Sequence, residues 1–206
     1  MNKKHAPKIG IIILAAGAST RLGQPKQLLP IGGQPLLQRI INTAIEFNTD
    51  EVTLVLGAYS ELILEKISTD LVQVVHNKKW KNGMGSSLSI GVKTALQKNP
   101  QLAALIFLLS DQPFVDTSLL HQLSETFQST NKAIVATMYN DAPSVPALFS
   151  ATFFDELLQL NNHQGARQLI RKAGEQLQTI PFPKGQFDID TMEDFQSIKQ
   201  AFESEE

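Results

Sequence analysis

A chain of 206 residues, 42% apolar and 18% charged, with a net charge of −2, has the composition of an ordinary globular protein with length for one full core. That charge balance offers no basic stripe for nucleic acid, so an anionic ligand has to be met by locally placed cations. The lack of cysteine excludes disulfides and thiolate metal sites, and no run reaches the ~18–20 apolar residues of a membrane span.

The basic N-terminus MNKKHAPK leads into an apolar stretch that breaks at Gly17 and lacks the shape of a secretory leader, so a cytoplasmic setting is expected. Ile11, Ile12, Ile13 and Leu14 have the pattern of a buried parallel strand. The strand opens into a loop of small residues, Ala15, Ala16, Gly17, Ala18, Ser19 and Thr20, followed by two cations, Arg21 and Lys26. Small side chains leave several backbone N–H groups free to face one anion, and the cations neutralise its charge. A nucleoside triphosphate suits such a loop. Walker and dinucleotide loops do not fit: Gln24 and Pro25 follow Gly23, and G-x-G-x-x-G does not occur. Both cations are expected to stand in solvent and to add little to stability.

Further along, Leu37, Ile40, Ile41, Ala44 and Ile45 fall on one face of a helix from Leu36 to Phe47. Ser87 to Leu96 and Leu119 to Phe127 behave likewise. Strands are predicted at 52–56, 72–75, 104–109, 133–137 and 147–149. Strands alternating with helices predict a mostly parallel sheet covered on both faces, with ligands at the carboxyl ends of its strands. No repeat, low-complexity tract or linker divides the chain, so a single domain over 1–206 is expected, frayed at 1–7 and 203–206.

Three further segments carry candidate chemistry. Asp111 follows the most apolar strand and is placed either to hold Mg²⁺ with phosphate oxygens or to cap the helix starting near Thr117. In Asp188-Ile189-Asp190-Thr191, Thr191 suits a helix N-cap, with Asp194 adding favourable charge in the first turn. After the strand ending near Val75, His76 and Asn77 are followed by Gly83, Met84, Gly85, Ser86 and Ser87. This glycine- and serine-rich helix start offers N–H and hydroxyl groups to a polar ligand. The four histidines lack H-x-x-x-H spacing, which argues against zinc, and there is no G-x-S-x-G nucleophile elbow.

The segment from Leu14 to Lys26 resembles the L-A-A/G-G-x-S-x-R-x-G-x-x-K signature of the MobA-like nucleotidyltransferases, and most closely the molybdenum cofactor cytidylyltransferases. The resemblance implies an α/β, Rossmann-like three-layer sandwich of the nucleotide-diphospho-sugar transferase type. It also implies a Mg²⁺-dependent transfer of cytidylyl from CTP to a phosphorylated acceptor, molybdopterin first, with a molybdoenzyme or chaperone as partner. It makes Leu14, Ala15, Ala16, Gly17, Ala18, Ser19, Arg21 and Lys26 nucleotide contacts, joined by Asn77, Gly83, Ser86 and Ser87. Arg21, Lys26 and Asp111 become catalytic, and Asp111 and Asp190 the metal carboxylates. Ser110 and Met192 depart from the family's G-D-Q-P-like and D-I-D-T-P-E-D-Y motifs. On the acceptor side, His163-Gln164-Gly165-Ala166-Arg167 and Pro143 to Phe149 are similar to family segments, with Asn162, His163 and Ser144 as departures, and Arg167 is the acceptor contact. Guanylyl transfer, cytidylyl transfer to methylerythritol phosphate or another sugar phosphate, and a non-catalytic nucleotide-binding regulator stand as alternatives.

Overall fold

The structure, a computed structural model, describes residues 6–160 and 165–205, with side chains as far as 202. His5, Asn162, His163 and Gln164 lie outside the described residues, as do the chain ends at 1–5 and 206. In chain order the strands are β1 Ile9–Ala15, β2 Pro30–Ile31, β3 Gln34–Pro35, β4 Glu51–Leu56, β5 Gln73–His76, β6 Ala104–Leu109, β7 Ile134–Tyr139, β8 Ala142–Ser150 and β9 Leu177–Pro181. The helices are α1 Leu36–Glu46, α2 Ser60–Leu64, α3 Met84–Lys98, α4 Thr117–Thr130, α5 Phe154–Leu158, α6 Ala166–Lys172 and α7 Met192–Glu205. Helix α7 thus runs into the tail expected to fray. None of the helices is long and apolar enough to cross a membrane.

Seven strands form one sheet in the order β5-β4-β1-β6-β8-β7-β9, while β2 and β3 pair as a small hairpin. Every ladder of the large sheet is parallel except those of β8 with β6 and β7. The chain leaves β1 for β4 and β5 on one side, then returns over α3 to β6 on the other. β1 is therefore the topological switch point, and its carboxyl end is where such sheets bind ligands.

Side-chain alternation explains why β1 reads as continuously apolar. Ile11, Ile13 and Ala15 pack on one face with α1 and α4, and Ile12, Leu14 and Ala16 on the other with α3. Burying each isoleucine or leucine of this set contributes about 1.5–3 kcal/mol before entropy is subtracted. A third cluster lies off the sheet: Leu22, Leu29, Ile31 and Leu36 pack with Ile189, Phe195, Ile198 and Phe202. It fastens the cation-bearing loop and the hairpin to α7. At the start of α7, Thr191 Oγ1 accepts from Asp194 N–H (3.1 Å), and Asp194 Oδ2 accepts from Thr191 N–H (2.8 Å), a reciprocal capping box.

Candidate active site

The loop after β1 is shaped by its own backbone and by one buried amide. Ser19 sits at φ +50°, and its carbonyl accepts from the N–H groups of Leu22 and Gly23. Gln27 is buried, and its Nε2 donates to the carbonyls of Ala15 (3.1 Å) and Gly17 (3.2 Å), pinning both ends of the small-residue turn. Sequence reasoning passed over Gln27, because a glutamine beside a candidate lysine carries no marker of burial.

Lys26 projects from this loop toward two carboxylates. Its Nζ lies 2.6 Å from Asp111 Oδ2 and 2.9 Å from Asp190 Oδ1, and Arg21 Nη2 lies 2.6 Å from Asp190 Oδ2. Four residues from three distant segments therefore meet at the carboxyl ends of β1 and β6. Asp111 does not cap α4. Asp116 does, accepting from Leu119 N–H at 2.8 Å, which leaves Asp111 to the cluster. Ile189 N–H donates to the Asp111 carbonyl (3.1 Å), locking the segment that bears Asp190 against the end of β6.

The expectation that both cations are exposed holds for Arg21, whose side chain is 68% exposed, but not for Lys26, at 14%. The third hydrophobic cluster folds the loop inward and carries Lys26 with it. Burial would lower the Lys26 ammonium, but Asp111 and Asp190 outweigh it and hold the group above its usual 10.5. For Asp190, burial acts upward, and the hydrogen bond and charge of Lys26, with Arg21, bring it below 3.8. Asp188 was also overlooked. It shares the Asp-Ile-Asp alternation that turns Ile189 into the core, which is the signal that could have found it. Lost hydration, then Asp111 and Asp190, push its carboxyl above 3.8.

These shifts set a pH response. Asp190, held below its unfolded value, contributes stability present above pH 3.8 that is lost as pH falls through its folded value. Lys26, held above its own, contributes stability that is complete below pH 10.5 and is lost as pH rises through its folded value. Asp188 has the opposite sign to Asp190, since its ionisation above pH 3.8 costs stability. Asp188→Asn is therefore expected to raise the urea midpoint at neutral pH, corresponding to about a few tenths of a kcal/mol of stability at this exposed position. A lowered midpoint would show that Asp188 is held by attraction instead.

A cavity of about 410 Å³ adjoins the cluster. Leu14, Ala16, Gly17, Ala18, Ser19, Lys26, Gly83, Ser87 and Asp111 line it, with Trp80 as a wall that sequence reasoning missed. Ala15, Arg21 and Asp190 stand outside this lining, the last two through their ion pair at the cluster. Asn77 and Ser86 stand behind the cavity wall, beside a separate hollow with His76 and Lys79. Asn77 is buried there, its Nδ2 donating to the hydroxyls of Ser86 and Ser87 (2.9 Å each) and its Oδ1 accepting from Lys79 N–H. Arg167, at the start of α6, points elsewhere, to Ser144 and Tyr139.

The sequence profile of the MobA-like NTP transferase domain matches residues 11–179, a span that holds the loop, Lys26 and Asp111. The chain belongs to this nucleotidyltransferase family. Its fold is the α/β, mostly parallel sandwich of the nucleotide-diphospho-sugar transferase type. Among relatives, the nicotine blue oxidoreductase of Paenarthrobacter nicotinovorans is 32% identical over 146 residues, 70% of each chain. The purine catabolism protein PucB of Bacillus subtilis is 29% identical over 96% of this chain and 98% of its own. The crystal structure of Rv0371C from Mycobacterium tuberculosis, a complex with manganese, is 25% identical. It superposes with a TM-score of 0.77 over 94% of this chain and 99% of that one.

Proposed function

We propose that the protein transfers a cytidylyl group from CTP to a phosphorylated acceptor, with molybdopterin as first choice, and releases pyrophosphate. The observation that carries this reading is Lys26 held between Asp111 and Asp190 where the small-residue loop meets the cavity. The names of the two relatives, an oxidoreductase and a purine catabolism protein, differ in kind, so the reading rests on the site itself.

An oxygen of the acceptor phosphate attacks the α-phosphorus in line, and the bond to the departing pyrophosphate breaks. No covalent enzyme intermediate is needed, and the chain's work is positioning and charge neutralisation. The loop N–H groups, Arg21 and Lys26 face the triphosphate and stabilise charge on the leaving group. Asp111 suits a metal: its Oδ1 is buried without a partner while Oδ2 engages Lys26. Among the described residues no three carboxylate or imidazole groups converge on one point, and two carboxylates suit Mg²⁺, which keeps water and phosphate oxygens as further ligands. Asp111 and Asp190 would hold that ion, which supplies positive charge against the phosphates.

Preference for cytosine follows from Ala16. Its methyl lies on the cavity wall against Gly57 and Trp80, where a Cβ added at Gly57 would meet the Ala16 carbonyl at 2.7 Å and Trp80 Cβ at 2.7 Å. Backbone and the Trp80 Cβ crowd this wall, and we take the Ala16 methyl to narrow the adjoining slot, where a pyrimidine fits better than a purine. CTP is expected to exceed GTP in kcat/KM by about 10- to 100-fold, the worth of one methyl or a little more. Pyrophosphate release from CTP and GTP, with Mg²⁺ and either molybdopterin or methylerythritol phosphate, tests both choices. Equal efficiency with the two nucleotides would defeat the base assignment. Turnover with the sugar phosphate alone would replace the acceptor and keep cytidylyl transfer.

A further inference from the structure

Away from the lysine cluster, a second polar network surrounds Arg167. Its Nε donates to Ser144 Oγ at 2.8 Å and its Nη2 to the Tyr139 hydroxyl at 3.3 Å. Tyr139 in turn donates to Ser144 Oγ (2.8 Å), within reach of the Val145 carbonyl (3.2 Å). From the other side, Gln112 Nε2 donates to the same tyrosine oxygen (3.4 Å) and to the carbonyls of Val145 (3.2 Å) and Gly185 (3.3 Å). Gln112 is buried and directly follows Asp111. The Tyr139 ring is seated by a missing side chain: a Cβ at Gly185 would lie 2.5 Å from Cδ1 and 2.7 Å from Cε1 of the ring.

Two features of this network point to a ligand. Arg167 is exposed, yet two of its nitrogens are fixed by neutral hydroxyls, so the planar fork is held in one orientation. No carboxylate lies within 4 Å of it among the described residues, and residues 161–164, Asn-Asn-His-Gln, contain none. A guanidinium that is oriented, with no carboxylate within 4 Å among the described residues, is prepared for a phosphate-type anion. We propose that Tyr139 is a positioning residue whose hydroxyl, with that of Ser144, aims Arg167 at the acceptor's phosphate and ties it through Gln112 to the segment bearing Asp111. This rests on the reading of Arg167 as the acceptor contact. It adds what orients that contact and couples it to the reacting end of the sheet.

The test uses Tyr139→Phe, which keeps the ring on Gly185 and removes only the oxygen, beside Arg167→Ala and the full-length parent. With CTP and whichever of molybdopterin or methylerythritol phosphate sustains turnover, Tyr139→Phe is expected to raise the acceptor KM about tenfold, the scale of one hydrogen bond to a charged group. The KM for CTP stays that of the parent. A second readout needs no acceptor. Nitrogen-15 spectra of the four arginine side chains, assigned by substitution, report the Arg167 Nε–H, and inorganic phosphate serves as the probe. In the parent this resonance shifts as phosphate is added, and in Tyr139→Phe it broadens and shifts less. If Arg167→Ala raises the acceptor KM while Tyr139→Phe leaves both KM and resonance unchanged, the positioning role is overturned. If Arg167→Ala leaves the acceptor KM unchanged, the acceptor assignment fails instead, and the phosphate response of the two proteins still decides whether Tyr139 orients the guanidinium.

Discussion

Lys26→Ala is expected to lower kcat/KM for nucleotidyl transfer by about 10²–10³, or ~3–4 kcal/mol, the scale of one preorganised contact to developing charge. The same change removes the cation shared by Asp111 and Asp190, whose side chains are 17% and 30% exposed. Two partly buried carboxylates then face each other, and stability at pH 7 should fall by about 1–3 kcal/mol. Arg21→Ala is the contrast: Arg21 is exposed on its side of the pair with Asp190, so activity falls while the stability read from urea unfolding changes by less than about 0.5 kcal/mol. Steady-state kinetics and urea unfolding of both variants separate the two effects. Parent-like turnover in both would remove the loop from the triphosphate site.

If Asp111 holds the proposed metal, Asp111→Asn is expected to lower metal-dependent turnover by about a thousandfold or more, since withdrawing such a carboxylate costs several kcal/mol of transition-state stabilisation. Asp111 offers the unpartnered Oδ1, and its backbone carbonyl holds Ile189, so the variant keeps its main-chain anchoring and should fold. Asp190→Asn should lose less, because Asp190 is more exposed and already divided between Lys26 and Arg21. Circular dichroism checks folding, and a titration of rate against Mg²⁺ reads the effect. An unchanged Mg²⁺ dependence in Asp111→Asn would return that residue to a purely electrostatic partner of Lys26.

How much was legible follows from the kind of signal each element sends. β1 and β6 announce themselves because both of their faces are buried, and α1 because one face is. β8 was visible only at its end, since Pro143 and Pro146 argue against a strand. The ladder with β7 passes from Ala136 opposite Ala147 to Thr137 opposite Ser144, so Pro146 falls in the irregularity and needs no partner. β9 is short, half-exposed and at the sheet edge, and no apolar run marks it. Lys26, Asp111 and Asp190 could each be suspected from local context or resemblance. Their meeting could not, because their side chains are joined across 85 and 164 residues. The contacts of Tyr139 with Arg167 and Gly185 also join residues distant in sequence, and a lone tyrosine at a strand end has no local signature.

The cluster that packs Leu22, Leu29, Ile31 and Leu36 against Ile189, Phe195, Ile198 and Phe202 has a consequence in time. During synthesis the chain emerges in order, and every strand of the large sheet precedes the segment that brings Asp190. Until that segment has emerged, the loop after β1 lacks its apolar cover and Lys26 lacks one of its two carboxylates. The cluster is thus completed by the last segment to emerge and not by the sheet. A clipped chain missing this segment would keep every strand of the sheet and lose Asp190 from the cluster.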